Sequence, residues 1–188
     1  MKKIVRRNLY LLLGQCVFCL SLCMAPSFGN ATLVESLSLE ELSVAADMIA
    51  IGRVVDMRAE WSEEYLRIET LCVLELEQCI KGDCKEKIEF KKRGGSVGSL
   101  HQVVIGEPQF DLGDELVVFL EKLERGYFFL GLTQGKYRIE WQNAKRMAVG
   151  DAGDLQLYDR RTKRSFEHEA SVLPLEDFVD LIQAYIQR

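Results

Sequence analysis

From Tyr65 to Gln78 the side chains alternate. Leu66, Ile68, Thr70, Cys72, Leu74 and Leu76 share one parity, so an extended chain would set all six on one face. A period of two cannot place those residues on one side of a helix, so this stretch predicts a long half-buried strand. Cys79-Ile80-Lys81-Gly82-Asp83-Cys84 follows at once, and Lys85 to Lys91 reads as a returning strand. A Cys79–Cys84 disulfide around a Lys-Gly-Asp turn would tie the two strands together. Closing so short a loop is worth roughly 2 kcal/mol on the chain-entropy account. Cys72 then has no partner, and its place in the alternation predicts a free thiol in the core.

The start of the chain constrains where such a fold works. Lys2, Lys3, Arg6 and Arg7 precede a largely apolar run from Leu9 to Ala25, followed by Pro26 and the small residues Ser27, Gly29 and Ala31. Basic start, apolar middle and small residues at the end make the order of a secretory signal peptide. Cleavage after Gly29 or after Ala31 fits; we take residues 1–31 as the leader. An uncleaved anchor and a lipid on Cys23 are the alternatives; Leu22 is bulky where a lipobox places a small residue. The expected location is extracytoplasmic, periplasmic or secreted, where disulfides persist.

The leader holds four basic residues and no acidic one, so 20 basic and 29 acidic side chains remain, a net charge of −9. An acidic surface repels phosphate backbones and anionic lipid, which argues against nucleic-acid and peripheral-membrane binding. No insertion into the membrane is expected after the leader is removed. The remainder suits one domain with a single core.

Ser38-Leu39-Glu40-Glu41 is a capping box that opens a helix over about Leu39 to Ala46. Met48 to Met57 is a strand with Gly52 at a bulge or bend. Further strands are expected at His101 to Ile105, Glu115 to Glu121, Tyr127 to Leu132 and Lys136 to Trp141, with a short one at Leu155 to Tyr158. Arg160 to Arg164 is a basic stretch. Pro174 opens a helix with Leu175, Phe178, Leu181, Ile182 and Tyr185 on one stripe. Short strands, frequent turns and few helices argue for a small barrel or sandwich.

Candidate chemistry is sparse. Gly94-Gly95-Ser96-Val97-Gly98 matches the nucleophile-elbow pattern G-x-S-x-G, but the elbow needs a helix directly after the serine. SLHQVVIG reads as strand or loop instead. His101 and His168 are the histidines that could serve Ser96 as base. Glu167-His168-Glu169 is a weak metal pattern in a charged segment; no metal or other cofactor is assigned. Trp61, Trp141, Tyr65, Tyr127 and Phe128 could line a binding surface or pack across strands.

Ala46-Asp47-Met48-Ile49-Ala50-Ile51-Gly52-Arg53-Val54, Ile80-Lys81-Gly82 and Ile88-Glu89-Phe90 together resemble the OB-like barrels of the netrin module and of the tissue inhibitors of metalloproteinases. With Gly94-Gly95, Phe110, Gly113-Asp114-Glu115, Val117-Val118-Phe119-Leu120 and Gly131 to Tyr137, the chain is also similar to bacterial secreted proteins of that layout. The resemblance covers about Leu42 to Ile139 and implies a fold. The animal inhibitors chelate zinc through an N-terminal cysteine, which a mature start at Asn30 or Thr32 lacks; no functional residue is carried over.

The resulting expectation is a mainly β chain: a single antiparallel OB-like β-barrel over residues 32–170, with a short N-terminal helix, and a C-terminal amphipathic helix over 171–188 packed on it. The expected function is an exported, non-enzymatic binding module engaging another extracytoplasmic protein, such as a secreted protease or an envelope protein. Its contact loops would be Gly94 to Ser99 and Gly106 to Leu112, with Gly94, Gly95, Ser96, Gly98, Glu107 and Phe110 as candidate residues. The alternatives are a small serine hydrolase using the GGSVG loop and a structural envelope component.

Overall fold

The computed structural model describes residues 33–62, 66–151, 155–167 and 171–188. The predicted leader, Tyr65 and His168 lie outside them.

The chain order is β1 (Leu33–Glu35), α1 (Leu39–Ala45), β2 (Met48–Trp61), β3 (Ile68–Lys81), β4 (Lys87–Arg93), β5 (Gly95–Val97), β6 (Leu100–Gln102), β7 (Glu115–Leu123) and β8 (Gly126–Phe129). A 3-10 turn, Leu132–Gly135, leads to β9 (Lys136–Gln142), β10 (Lys145–Gly150), β11 (Gln156–Asp159), β12 (Arg164–Glu167), β13 (Val172–Pro174) and α2 (Leu175–Ile186). The fold is mainly β.

The largest sheet runs β13-β10-β9-β7-β2-β3-β4-β8, and β7 also pairs with β8. The pairings β7-β2-β3-β4-β8 therefore return to β7. Within this ring, three consecutive strands (β2, β3 and β4) are followed by one, β7, that comes back beside the first, which is the Greek-key order. The expectation of a wholly antiparallel sheet is corrected: β4 and β8 pair in parallel, with Lys91 opposite Phe128. The reason is arithmetic. Strand directions cannot alternate all the way round a ring of five, so one junction must be parallel. A second parallel pair joins β1 to β11 in a separate sheet, β1-β11-β12.

Two hydrophobic clusters share strands β2 and β7. Met48, Ala50 and Val54 of β2 and Leu116, Val118 and Leu120 of β7 join Cys72, Leu74, Ile88, Phe90, Phe110 and Phe129 in a cluster fed by all five ring strands. The opposite parity, Ile49, Ile51, Val117 and Phe119, packs with Leu42 of α1 and Leu175, Phe178 and Ile182 of α2. Both faces of β2 and β7 are thus covered, which is why MIAIG and LVVFL are unbroken apolar runs. Gly52 sits at one of the register shifts of β2. A Cβ there would come 2.2 Å from the Glu75 carbonyl oxygen, so only glycine lets β3 approach so closely.

The helices follow their sequence signals. Glu41 N–H donates to Ser38 Oγ and Ser38 N–H to Glu41 Oε2, at 3.2 and 2.8 Å, completing the capping box. The α2 stripe is narrower than expected: Leu175, Phe178 and Ile182 are buried, while Leu181 is exposed. In β3 the predicted face is buried from Ile68 to Leu74, but Leu66 precedes the strand and is 78% exposed. Cys79 and Cys84 lie at disulfide distance, with Cα atoms 5.8 Å apart, and Cys72 is a buried free thiol. Burial pushes the Cys72 thiol up to about 12, which leaves it protonated and unreactive at neutral pH. Among the described residues no helix is long and apolar enough to cross a membrane.

Candidate functional site

The glycine-rich segment after β4 forms the β5–β6 hairpin, which folds back toward the start of β3. Gly94 N–H donates to the Ile68 carbonyl at 2.8 Å, Thr70 Oγ1 to the Gly94 carbonyl at 2.7 Å, and Ile68 N–H to Gln102 Oε1 at 2.6 Å. Gly95 has φ +138°, and a Cβ on it would lie 2.5 Å from Thr70 Oγ1. The glycines therefore permit a close approach of the hairpin to β3, and the segment is pinned to that strand.

Between this hairpin and the segment that follows β6 lies a cleft of about 410 Å³. Gly94, Gly95 and His101 form one wall, Val103 to Glu107 another, with Gln109, Thr133 and Asp151 behind them. Val103 and Ile105 are at least half exposed, as is Leu100 on the hairpin. The strand expected over His101 to Ile105 ends at Gln102; Ile105 and Gly106 instead form a turn in which Glu107 N–H donates to the Val104 carbonyl at 3.2 Å.

The cleft is held open from behind by the Gly131 to Lys136 segment. Thr133 N–H donates to the Gly106 carbonyl at 3.0 Å, and Lys136 Nζ to the Gln109 carbonyl at 2.7 Å. Lys136 is fully buried and ion-paired with Asp151. Burial lowers its pKa, and the Asp151 carboxylate pulls it partly back. Gln134 faces the other way: its Oε1 accepts from Leu37 N–H at 2.9 Å and its Nε2 donates to the Glu35 carbonyl at 3.0 Å. The side chains of one short segment thus fix both the cleft and the first described strand.

Glu107, a predicted contact residue, lines the cleft but is 6% exposed. Arg93 Nη1 donates to its Oε1 at 2.8 Å. Burial raises the Glu107 pKa, and Arg93 opposes that rise. Phe110, also predicted as a contact residue, is corrected. It is buried, 6.1 Å from Phe90 and 5.7 Å from Phe129 between ring centroids, and is part of the interior cluster. An aromatic ring in a loop gains more from filling that cluster than from solvent.

Ser96 and His101 are cross-strand partners of the hairpin, and Ser96 Oγ lies 2.7 Å from His101 Nδ1. That is nucleophile-to-base distance. No helix follows Ser96, and among the described residues no side chain is hydrogen-bonded to the second ring nitrogen of His101. A triad needs that third group to orient the base. Gly98 is exposed at the hairpin turn. Among the described residues no group of three His, Cys, Asp or Glu side chains is placed to hold a metal ion.

Of the predicted site residues, the structure brings Gly94, Gly95 and Glu107 to one cleft, sets Ser96 and Gly98 on its hairpin, and removes Phe110 to the interior. Sequence reasoning missed Arg93, Gln134, Lys136 and Asp151. The repeated glycines around Thr133-Gln134 were the available signal, since a Cβ at Gly135 would meet the Leu130 carbonyl oxygen at 2.2 Å. No known protein family matches the chain, and neither a curated protein nor a solved structure is similar to it.

Proposed function

We propose that the chain is an exported, non-enzymatic binding module built on an OB-like barrel. The cleft between the β5–β6 hairpin and Val103 to Gln109 is its contact region for another extracytoplasmic protein. The observation that carries this reading is the cleft itself: a concave site rimmed by exposed apolar side chains and fixed by buried polar contacts. The barrel reading rests on the five-strand ring in Greek-key order, as OB-folds have. Export is supported by the leader pattern and by a cysteine pair at disulfide distance.

Photo-crosslinking tests it. A crosslinker at Ile105, on the cleft rim, is expected to capture one defined envelope or secreted protein from the host. The same group at Glu89, away from the cleft, is expected to capture none. Equal labelling from both positions, or none from either, overturns the reading.

The Ser96–His101 contact favours one second reading, a small hydrolase with Ser96 as nucleophile and His101 as base. Hydrolysis of a simple aryl ester that Ser96→Ala abolishes with the fold intact would establish it. Activity that is absent or survives the substitution excludes it.

A further inference from the structure

Glu69 is a charged side chain that β3 buries, at 2% exposure, directly opposite Arg93 of β4. One cation would neutralise it; three surround it. Arg67 Nε and Arg125 Nη1 lie 3.1 and 3.0 Å from its Oε1, and Lys91 Nζ lies 3.5 Å from its Oε2. We propose that Arg67, Lys91 and Arg125, gathered over Glu69, form a recognition site for the carboxylates of an acidic peptide segment. The site lies outside the cleft, and the proposal does not depend on the cleft being a contact surface.

Two observations carry it. The first is direction. Glu69 Oε1 has no hydrogen-bond partner although two guanidinium groups lie within 3.1 Å of it. Both are close enough for Coulomb attraction, but neither aims an N–H at that oxygen. Among the described residues neither Arg67 nor Arg125 donates a hydrogen bond elsewhere, so both planar forks keep their donors for another acceptor. All three cations are partly exposed, between 22% and 38%.

The second is charge. Arg58 stands exposed opposite Leu71 on this face, and Glu60 stands exposed opposite Glu69. Arg93 is committed to Glu107. Arg67, Lys91 and Arg125 outnumber Glu69, the one carboxylate they share, by two, in a chain whose net charge is −5. Clustered cations repel one another, and an incoming anion relieves that repulsion. Two planar guanidinium forks match planar carboxylates. An extended polyanion such as a nucleic acid would instead meet the acidic remainder of the surface.

The test uses the full chain without its leader, a short Glu-rich peptide, its Gln-rich counterpart and a single-stranded oligonucleotide, with binding read by fluorescence anisotropy. The Glu-rich peptide is expected to bind, more weakly as salt rises, and the other two are not. Arg67→Lys with Arg125→Lys keeps the charge over Glu69 and removes both forks; it is expected to weaken binding at least about fivefold with an unchanged circular-dichroism spectrum. Glu69→Gln removes the competing carboxylate and is expected to tighten binding. Should Glu69→Gln not fold, the lysine pair decides alone. Equal binding of the Gln-rich peptide, tighter binding of the oligonucleotide, or an affinity that the lysine pair leaves unchanged overturns the proposal; a purely structural cluster gives the last of these.

Discussion

The interior of the ring and the wall of the cleft both draw on β4, through Phe90 and Arg93, yet they are built on opposite terms. Inside the ring, Phe90 packs with Phe110 and Phe129, and Cys72 is a neutral thiol in the same cluster. At the cleft the buried charged groups are Glu107 in its wall and Lys136 behind it, each with a pKa that burial moves toward the uncharged form. The apolar side of this contrast is favourable by transfer alone. The polar side holds only because each charge has a partner, Arg93 for Glu107 and Asp151 for Lys136. The difference teaches that stability and site geometry are carried by separate sets of residues a few ångströms apart.

The contrast can be broken by measurement. Phe90→Ala should cost the most, about 3–5 kcal/mol in denaturant unfolding, because it opens a cavity that two other rings cannot fill. A loss below about 1 kcal/mol would mean that the interior is not tightly packed. Replacing Cys79 and Cys84 together by serine should cost about 2 kcal/mol, since the bond closes only a short loop at the end of the β3–β4 hairpin. Ala144→Gly should stabilise by about 1 kcal/mol, because Ala144 turns the β9–β10 hairpin at φ +62°. An unchanged or lowered melting temperature would refute that.

Glu107→Gln should have the smallest effect, within about 1 kcal/mol at neutral pH, because the isosteric amide can still accept from Arg93, whose partly exposed guanidinium stays hydrated. Its pH dependence is the sharper readout. Glu107 has a raised pKa when folded, so its proton favours the folded state at acid pH, and that contribution is lost as pH rises through the raised value. The wild-type chain should therefore lose stability relative to the Gln variant between the ordinary glutamate range and neutrality. Glu77 works in the opposite sense: Arg146 lowers its pKa, so its contribution is present above the ordinary range and lost on acidification. A wild-type-minus-variant curve that is flat across this interval would remove the argument that burial strains Glu107.

Much of the ring was legible. Alternation exposed β3, the unbroken apolar runs exposed β2 and β7, and the Cys79–Cys84 spacing marked the turn between β3 and β4. Gly52 announced its bulge because no other residue fits against Glu75. β1, β5, β10, β12 and β13 were not legible. Segments such as KRMAVG and RSFE carry weak strand preference, and they become strands because a partner strand offers its free backbone groups. The parallel closure could not be read either, since it depends on the number of strands in the ring. Of the site, the glycine loops pointed to the cleft, but Phe110 was misplaced because an apolar residue in a loop carries no sign of which way it turns. Lys136 was overlooked for the converse reason: a lysine in a strand reads as solvent-facing until its partner, Asp151, is located in space.

One consequence follows from the way Gln134 holds the first strand. Its amide grips Leu37 and Glu35, which lie 97 and 99 positions earlier, and β1 itself pairs with β11, later still. During synthesis the earliest-made of these segments must therefore stay unattached until most of the polypeptide has emerged. Contacts of such long span are slow to close. The first described strand is therefore among the last parts of the fold to lock.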